Sequence, residues 1–178
     1  MLRKVSIDII AASKFAILLF VLSAVVFCVP FFLLWTWKEI VQNSTFSIAF
    51  LIALVLGVPL HEGIHGLTWG LVNLSFKPVS FGVMWKYLTP YCHYSEPMPR
   101  NNYIWGAITP FIFVGLIPAV SSLFIGNIEL LLLGLIYISG AAGDLWMIWL
   151  ILKEDPNAMI LDHPSEAGFF IIDNEETT

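Results

Sequence analysis

Four stretches of the chain stay apolar long enough to cross a bilayer, and polar residues collect between them. A spanning helix needs about 20 apolar residues. The runs Phe15–Trp35, Phe46–Gly70, Tyr103–Ile125 and Ile128–Leu152 each reach that length. The connection Lys38–Thr45 is short and polar, whereas Leu74 to Asn102 is long and holds five prolines and glycines. Within it Val79, Phe81, Val83, Trp85 and Tyr87 alternate with Ser80, Gly82, Met84, Lys86 and Leu88. That period of two predicts a strand. A turn at Leu88-Thr89-Pro90 and a return over Tyr91–Ser95 complete a β-hairpin across residues 78–95. The pattern predicts an α-helical integral membrane protein, with four transmembrane helices and a membrane-associated β-hairpin between helices 2 and 3. Residues 1–153 form this single domain; 154–178 are acidic and loop-like, a solvated cytoplasmic tail.

Composition agrees with the pattern. The 178 residues are 58% hydrophobic and 12% charged, with a mean hydropathy of +0.86. Soluble domains are about 45–50% apolar and about 25% charged. The net charge of −5 comes without a basic patch, which excludes a nucleic-acid partner. Cys28 and Cys92 do not make a disulfide framework. The first apolar run is too long for a signal peptide and no small-residue cleavage site follows it; Phe27 before Cys28 also rules out a lipoprotein site. With four spans, Arg3, Lys4, Lys14, Lys77, Lys86, Arg100 and Lys153 share one side and only Lys38 the other. The positive-inside rule then puts both termini in the cytoplasm. Trp35, Trp37, Trp69, Trp85, Tyr87, Tyr91 and Tyr103 flank the spans as interfacial belts.

Candidate chemistry lies in the second span, at His61-Glu62-Gly63-Ile64-His65. On a helix the two imidazoles stand one turn apart on one face, the spacing for a zinc ion, and Glu62 can take a proton from water at the metal. A catalytic zinc keeps three protein ligands. Asp144, in Gly140-Ala141-Ala142-Gly143-Asp144, is the one carboxylate well inside the last span. A charge at mid-helix costs about 2.5–3.5 kcal/mol on insertion scales, so it calls for a partner. Counted from the outer ends of their spans, His61 and His65 lie 15 and 19 residues deep and Asp144 lies 16 deep. At ~1.5 Å per residue all three sit about 22–29 Å from the outer surface. Gly140 and Gly143 would let the helices approach closely, and Pro59 opens the helix ladder near the site. Cys92 and His93 are packing or substrate-facing residues with the capacity to act as auxiliary ligands. His163 reads as a surface histidine beside Asp162, and Asn73, Asn101 and Asn102 are candidates to stabilise an oxyanion.

His-Glu-Gly-Ile-His-Gly-Leu-Thr-Trp (61–69), Leu-Thr-Pro-Tyr-Cys-His (88–93), Gly-Ala-Ile-Thr-Pro (106–110), Ala-Ala-Gly-Asp-Leu (141–145) and Asp-His-Pro-Ser (162–165) together resemble a family of zincin peptidases among small bacterial membrane proteins. That group in turn resembles the site-2 proteases, which cut substrate helices within the membrane. The resemblance implies His61, His65 and Asp144 as metal ligands, Glu62 as catalytic acid–base, one Zn2+ per chain and a bacterial inner-membrane location. Two departures stand out. Gly143 precedes and Leu145 follows the aspartate, where site-2 proteases carry an Asn-Pro run before it and a glycine after it, and no PDZ-like module is present.

Two readings of different class follow. One is an intramembrane zinc metallopeptidase acting on a membrane-embedded or membrane-proximal peptide, with the hairpin edge offered to an extended substrate. The alternative is a non-catalytic zinc-binding membrane protein with a structural or sensing role, its site closed by four ligands. A scaffold or small transporter without metal is a third. Ligand type alone also admits iron, cobalt or nickel.

Overall fold

The computed structural model describes residues 2–45, 47–85, 89–163 and 166–172. Strand β1 (Leu2–Ser6) leads to α1 (Ile9–Leu34), a short α2 (Trp37–Asn43) and α3 (Ile48–Val72). Strands β2 (Val79–Met84), β3 (Thr89–Tyr94) and β4 (Met98–Pro99) come next. A continuous helical run holds α4 (Arg100–Pro110), a π-helical stretch over Phe111–Leu116 and α5 (Ile117–Ile125). Helices α6 (Ile128–Gly140) and α7 (Ala142–Ile151) precede β5 (Met159–Asp162) and β6 (Gly168–Ile172).

Helix α1 is apolar on every side, and Val21, Leu22, Val25, Val26, Val29 and Leu33 are exposed. A helix without a polar face belongs in lipid. Ile9–Leu34, Ile48–Val72 and Arg100–Ile125 are each long and apolar enough to cross a membrane; α6 and α7, bent by 42° at their junction, bring the number to four if they count as one span. The chain is thus a mostly helical membrane protein. Helix α1 starts at Ile9 rather than Phe15 because Ser13 and Lys14, exposed in its first turns, do not interrupt a helix. The expected start of the second span, Phe46, lies outside the described residues. The polar connection after α1 folds as α2, opened by a capping box: Thr36 Oγ1 accepts from the Glu39 amide at 3.4 Å, and Glu39 accepts from the Thr36 amide at 2.9 Å.

The chain divides into two compact units. One joins Ile10–His61 to Pro110–Gly143, around a core of Phe27, Phe31, Ile40, Ala119, Leu131, Leu135 and Ile138. Close packing here rests on Gly134 and Gly115. A Cβ on Gly134 would stand 2.5 Å from the Ala119 amide nitrogen, and one on Gly115 3.0 Å from that of Ile138. Gly140 and Gly143, expected to allow the close approach, face open space. The contacts form further up α6, where its side chains meet α5 and the π-helical stretch. Tyr137 lies over Gly57 of α3, and its hydroxyl donates to the Leu54 carbonyl.

The other unit holds Met1–Ile9, Glu62–Thr109 and Asp144–Thr178. Strands β2 and β3 form the expected hairpin, antiparallel from Val79↔Tyr94 to Met84↔Thr89. The strand and turn assignments for Lys86, Tyr87 and Leu88 lie outside the described residues. An antiparallel sheet in the order β1-β6-β5-β4 was not expected. Over Met159–Asp162 and Gly168–Ile172 it corrects the reading of the 154–178 segment as a solvated loop: Ile160, Phe169 and Ile171 are at most 1% exposed and join a core with Met98, Tyr103 and Ile151. The acidic residues that gave the segment its polar look flank the strands and pair with β1, Glu154 with Arg3 and Glu166 with Lys4. The two strands are apolar, and their partners outside the segment are distant in sequence: β6 pairs with β1 (Leu2 with Ile172) and β5 with β4 (Met98 with Ile160). Trp69 and Tyr103, read as interfacial, are buried at 3% and 0% exposure in this core.

Replacing Gly134 by Ala pushes a methyl into the backbone of α5 and should destabilise the fold by about 1–3 kcal/mol. Gly140→Ala, with open space around its Cβ, should cost nothing of this kind. Thermal unfolding of the detergent-solubilised variants checks the contrast, and equal midpoints for the two would refute it.

Candidate metal centre

Helix α3 carries His61, Glu62 and His65 on consecutive turns of one continuous helix. His61 and His65 are buried, at 9% and 4% exposure, and Glu62 is half-buried. Asp144 stands in the first turn of α7, just past the break at Ala141. A helix N-terminus favours a carboxylate, which eases the cost of placing one among apolar helices. One ligand atom each from His61, His65 and Asp144 lies within 4.8 Å of the others. The His65 Nε2 to Asp144 Oδ1 distance is 3.4 Å.

The surroundings fix the His65 ring. Its Nδ1 lies 2.9 Å from the Gly106 carbonyl, which can only accept, so Nδ1 donates and Nε2 is the nitrogen turned toward Asp144. The indole of Trp69, one turn on, stacks against the imidazole at 5.2 Å between centroids and 16° between planes. Gly106 must lack a side chain, since a Cβ there would stand 1.9 Å from Trp69 Nε1. Gly66 has the same role toward the hairpin: its Cβ would meet Phe81, Val79 and Cys92 at 2.7–3.1 Å. The hairpin therefore lies on α3 one residue beyond His65.

Cys92 and His93 do not join the three-membered group. Cys92 is buried against Gly66. Burial, with the Glu62 and Asp162 carboxylates nearby, pushes its thiol up to about 12, so it remains a neutral packing group at physiological pH. His93 Nδ1 lies 3.4 Å from Asp162 Oδ2 instead. Asn73 and Asn102 are engaged at the end of α3: Asn73 Nδ2 donates to the Trp69 carbonyl, and Asn102 Nδ2 donates to Asn73 Oδ1 and the Val72 carbonyl. These bonds complete the C-terminus of the helix. His163 is partly buried and stacks on Phe170. Sequence reasoning missed the roles of Trp69, Tyr103, Gly106 and Asp162; for Asp162 the available signal was the apolar character of the flanking 159–172 segment.

Zinc bonds of about 2.0–2.2 Å set tetrahedral donors ~3.4 Å apart, and two imidazoles with one carboxylate are a set that zinc accepts. The residues thus fit the ion. This is the donor chemistry of a zincin-type centre, with a glutamate between the histidines. The chain belongs to the family described as "Putative zincin peptidase", whose profile matches residues 54–159. Comparison with curated proteins and with solved structures gives no significant match. The matched region contains His61, Glu62, His65 and Asp144 and ends three residues before Asp162.

The purified protein should hold one zinc per chain. His61→Ala and Asp144→Ala should each lose it, and Cys92→Ser should keep it. Elemental analysis after gel filtration makes the measurement; a parent protein without stoichiometric metal would refute the site.

Proposed function

We propose that the chain is an intramembrane zinc metallopeptidase of site-2-protease type, hydrolysing peptide bonds in membrane-associated substrates. The observation that carries this reading is the convergence of His61, His65 and Asp144 within 4.8 Å, on helices apolar enough to lie in a membrane. Family membership supports metallopeptidase chemistry.

His61, His65 and Asp144 would hold the metal. When bound, zinc supplies a Lewis acid that acidifies water to a pKa of about 7 and polarises a carbonyl oxygen. Glu62 takes the proton of the attacking water and returns it to the leaving nitrogen. The Gly106 carbonyl takes His65 Nδ1 and so turns Nε2 to the side where the ion would sit. An unwound substrate pairs its main chain with the hairpin, whose Val83, Trp85 and Tyr91 are exposed beyond the contact with α3. Three converging ligands among the described residues support a centre with an open position over one closed by four.

The topology belongs to the same proposal. The reading takes four spans, with α6 and α7 as one; seven of the eight basic residues then share the side that also holds both termini, which the positive-inside rule makes the cytoplasmic one. The setting is the inner membrane of a bacterium.

Glu62→Gln should retain zinc and lose cleavage, by about 10²–10⁴-fold or to background. The assay uses protein in liposomes with a panel of fluorogenic transmembrane-segment peptides, and zinc is measured on the same samples. Undiminished turnover in that variant would overturn the mechanism.

A further inference from the structure

Asp162 stands on β5, outside the region matched by the family profile, yet its carboxylate is buried and engaged at both oxygens. Oδ1 accepts from the Tyr103 hydroxyl at 2.6 Å; Oδ2 accepts from the Tyr94 amide at 3.4 Å and lies 3.4 Å from His93 Nδ1. Tyr103 is fully buried and belongs to α4. Its backbone carbonyl accepts from Trp69 Nε1 at 3.2 Å, and the two rings lie 5.3 Å apart. Trp69 is the indole stacked on His65, and the carbonyl of Gly106, three residues past Tyr103, receives His65 Nδ1.

Helix α4 thus presents two carbonyls, one turn apart, to two residues one turn apart on α3: Tyr103 to Trp69 and Gly106 to His65. The stack of Trp69 on His65 closes the ladder, and no side chain fits at Gly106 to shift it. What anchors the Tyr103 end is the bond from its phenol to Asp162. The Met147 thioether, 3.6 Å away, is the weaker acceptor of the two near this phenol; a phenol buried without a strong acceptor carries a desolvation penalty, so the carboxylate is what keeps Tyr103 in place.

We propose that Asp162 is a positioning residue for the metal centre, acting through Tyr103 and Trp69 on the ring of His65. The proposal rests on the metal reading of His61, His65 and Asp144, and assigns to the C-terminal sheet a part in ion affinity. Groups that orient a metal-binding imidazole typically change affinity 10- to 100-fold when lost. The bond at issue is one remove further out, so the expected loss is about 10-fold or more.

The test uses the full chain in detergent, with Zn2+ affinity from chelator competition and the absorption bands of Co2+ at the site as a report on ligand geometry. Tyr103→Phe removes one oxygen and Asp162→Asn leaves the shape of the side chain. Each should weaken Zn2+ binding about 10-fold or more and alter the Co2+ bands, and the double variant should be no weaker than the worse single one. Glu154→Gln, which cuts the Arg3 tie of the same sheet, should leave both readings unchanged. Thermal midpoints of the metal-free proteins are recorded alongside. A lowered midpoint with parental affinity and parental Co2+ bands in Tyr103→Phe overturns the positioning role and leaves the metal site standing. Parent protein that binds neither ion removes the metal reading and this proposal with it. If Asp162→Asn does not fold, Tyr103→Phe reads the same bond.

Discussion

The contact between His65 Nε2 and Asp144 Oδ1 is the constraint from which the rest follows. A carboxylate and two imidazoles amid apolar helices are costly unless they satisfy one another or a shared cation. The chain meets that cost by local devices. A break at Ala141 starts a new helix in whose first turn Asp144 sits; a backbone carbonyl takes the second nitrogen of His65; and an indole covers the ring face. Glycines stand where those devices need room, Gly106 under Trp69 and Gly66 under the hairpin. Each is a small feature of sequence, and together they hold His65 beside Asp144.

Much of this was legible beforehand. The spans follow from length and apolarity, and the His-Glu-x-x-His spacing fixes two donors to one helix face whatever the tertiary structure. Asp144 was readable because a lone carboxylate in an apolar run needs a reason. The hairpin was readable from its alternation over Val79–Trp85. The helix ends were not, since a helix ignores a few polar residues in its first turn that a hydropathy window penalises. Gly140 and Gly143 misled: glycine permits close approach, but only the opposing surface decides whether one occurs.

The C-terminal segment shows the limit most plainly. Its charges and prolines are those of a loop, and its two strands are short. Their partners, β1 and β4, come from near residues 2 and 98, and pairing across such separations leaves no trace in a local window. The buried Asp162 was therefore unreadable as a hub, although its motif was visible. Aromatics near span ends posed a similar trap. Trp69 and Tyr103 have the composition of an interfacial belt and the position of a core, and only the sheet packed beneath them separates the two.

Strand β1 leaves directly into α1, and β6, its hydrogen-bonded neighbour, follows α7. A polypeptide that departs from a sheet and later rejoins it has returned to the face of the bilayer from which it set out. Passages through the lipid between those two points must come in pairs. Helix length permits three such passages, or four if the bent α6–α7 run is a single traverse.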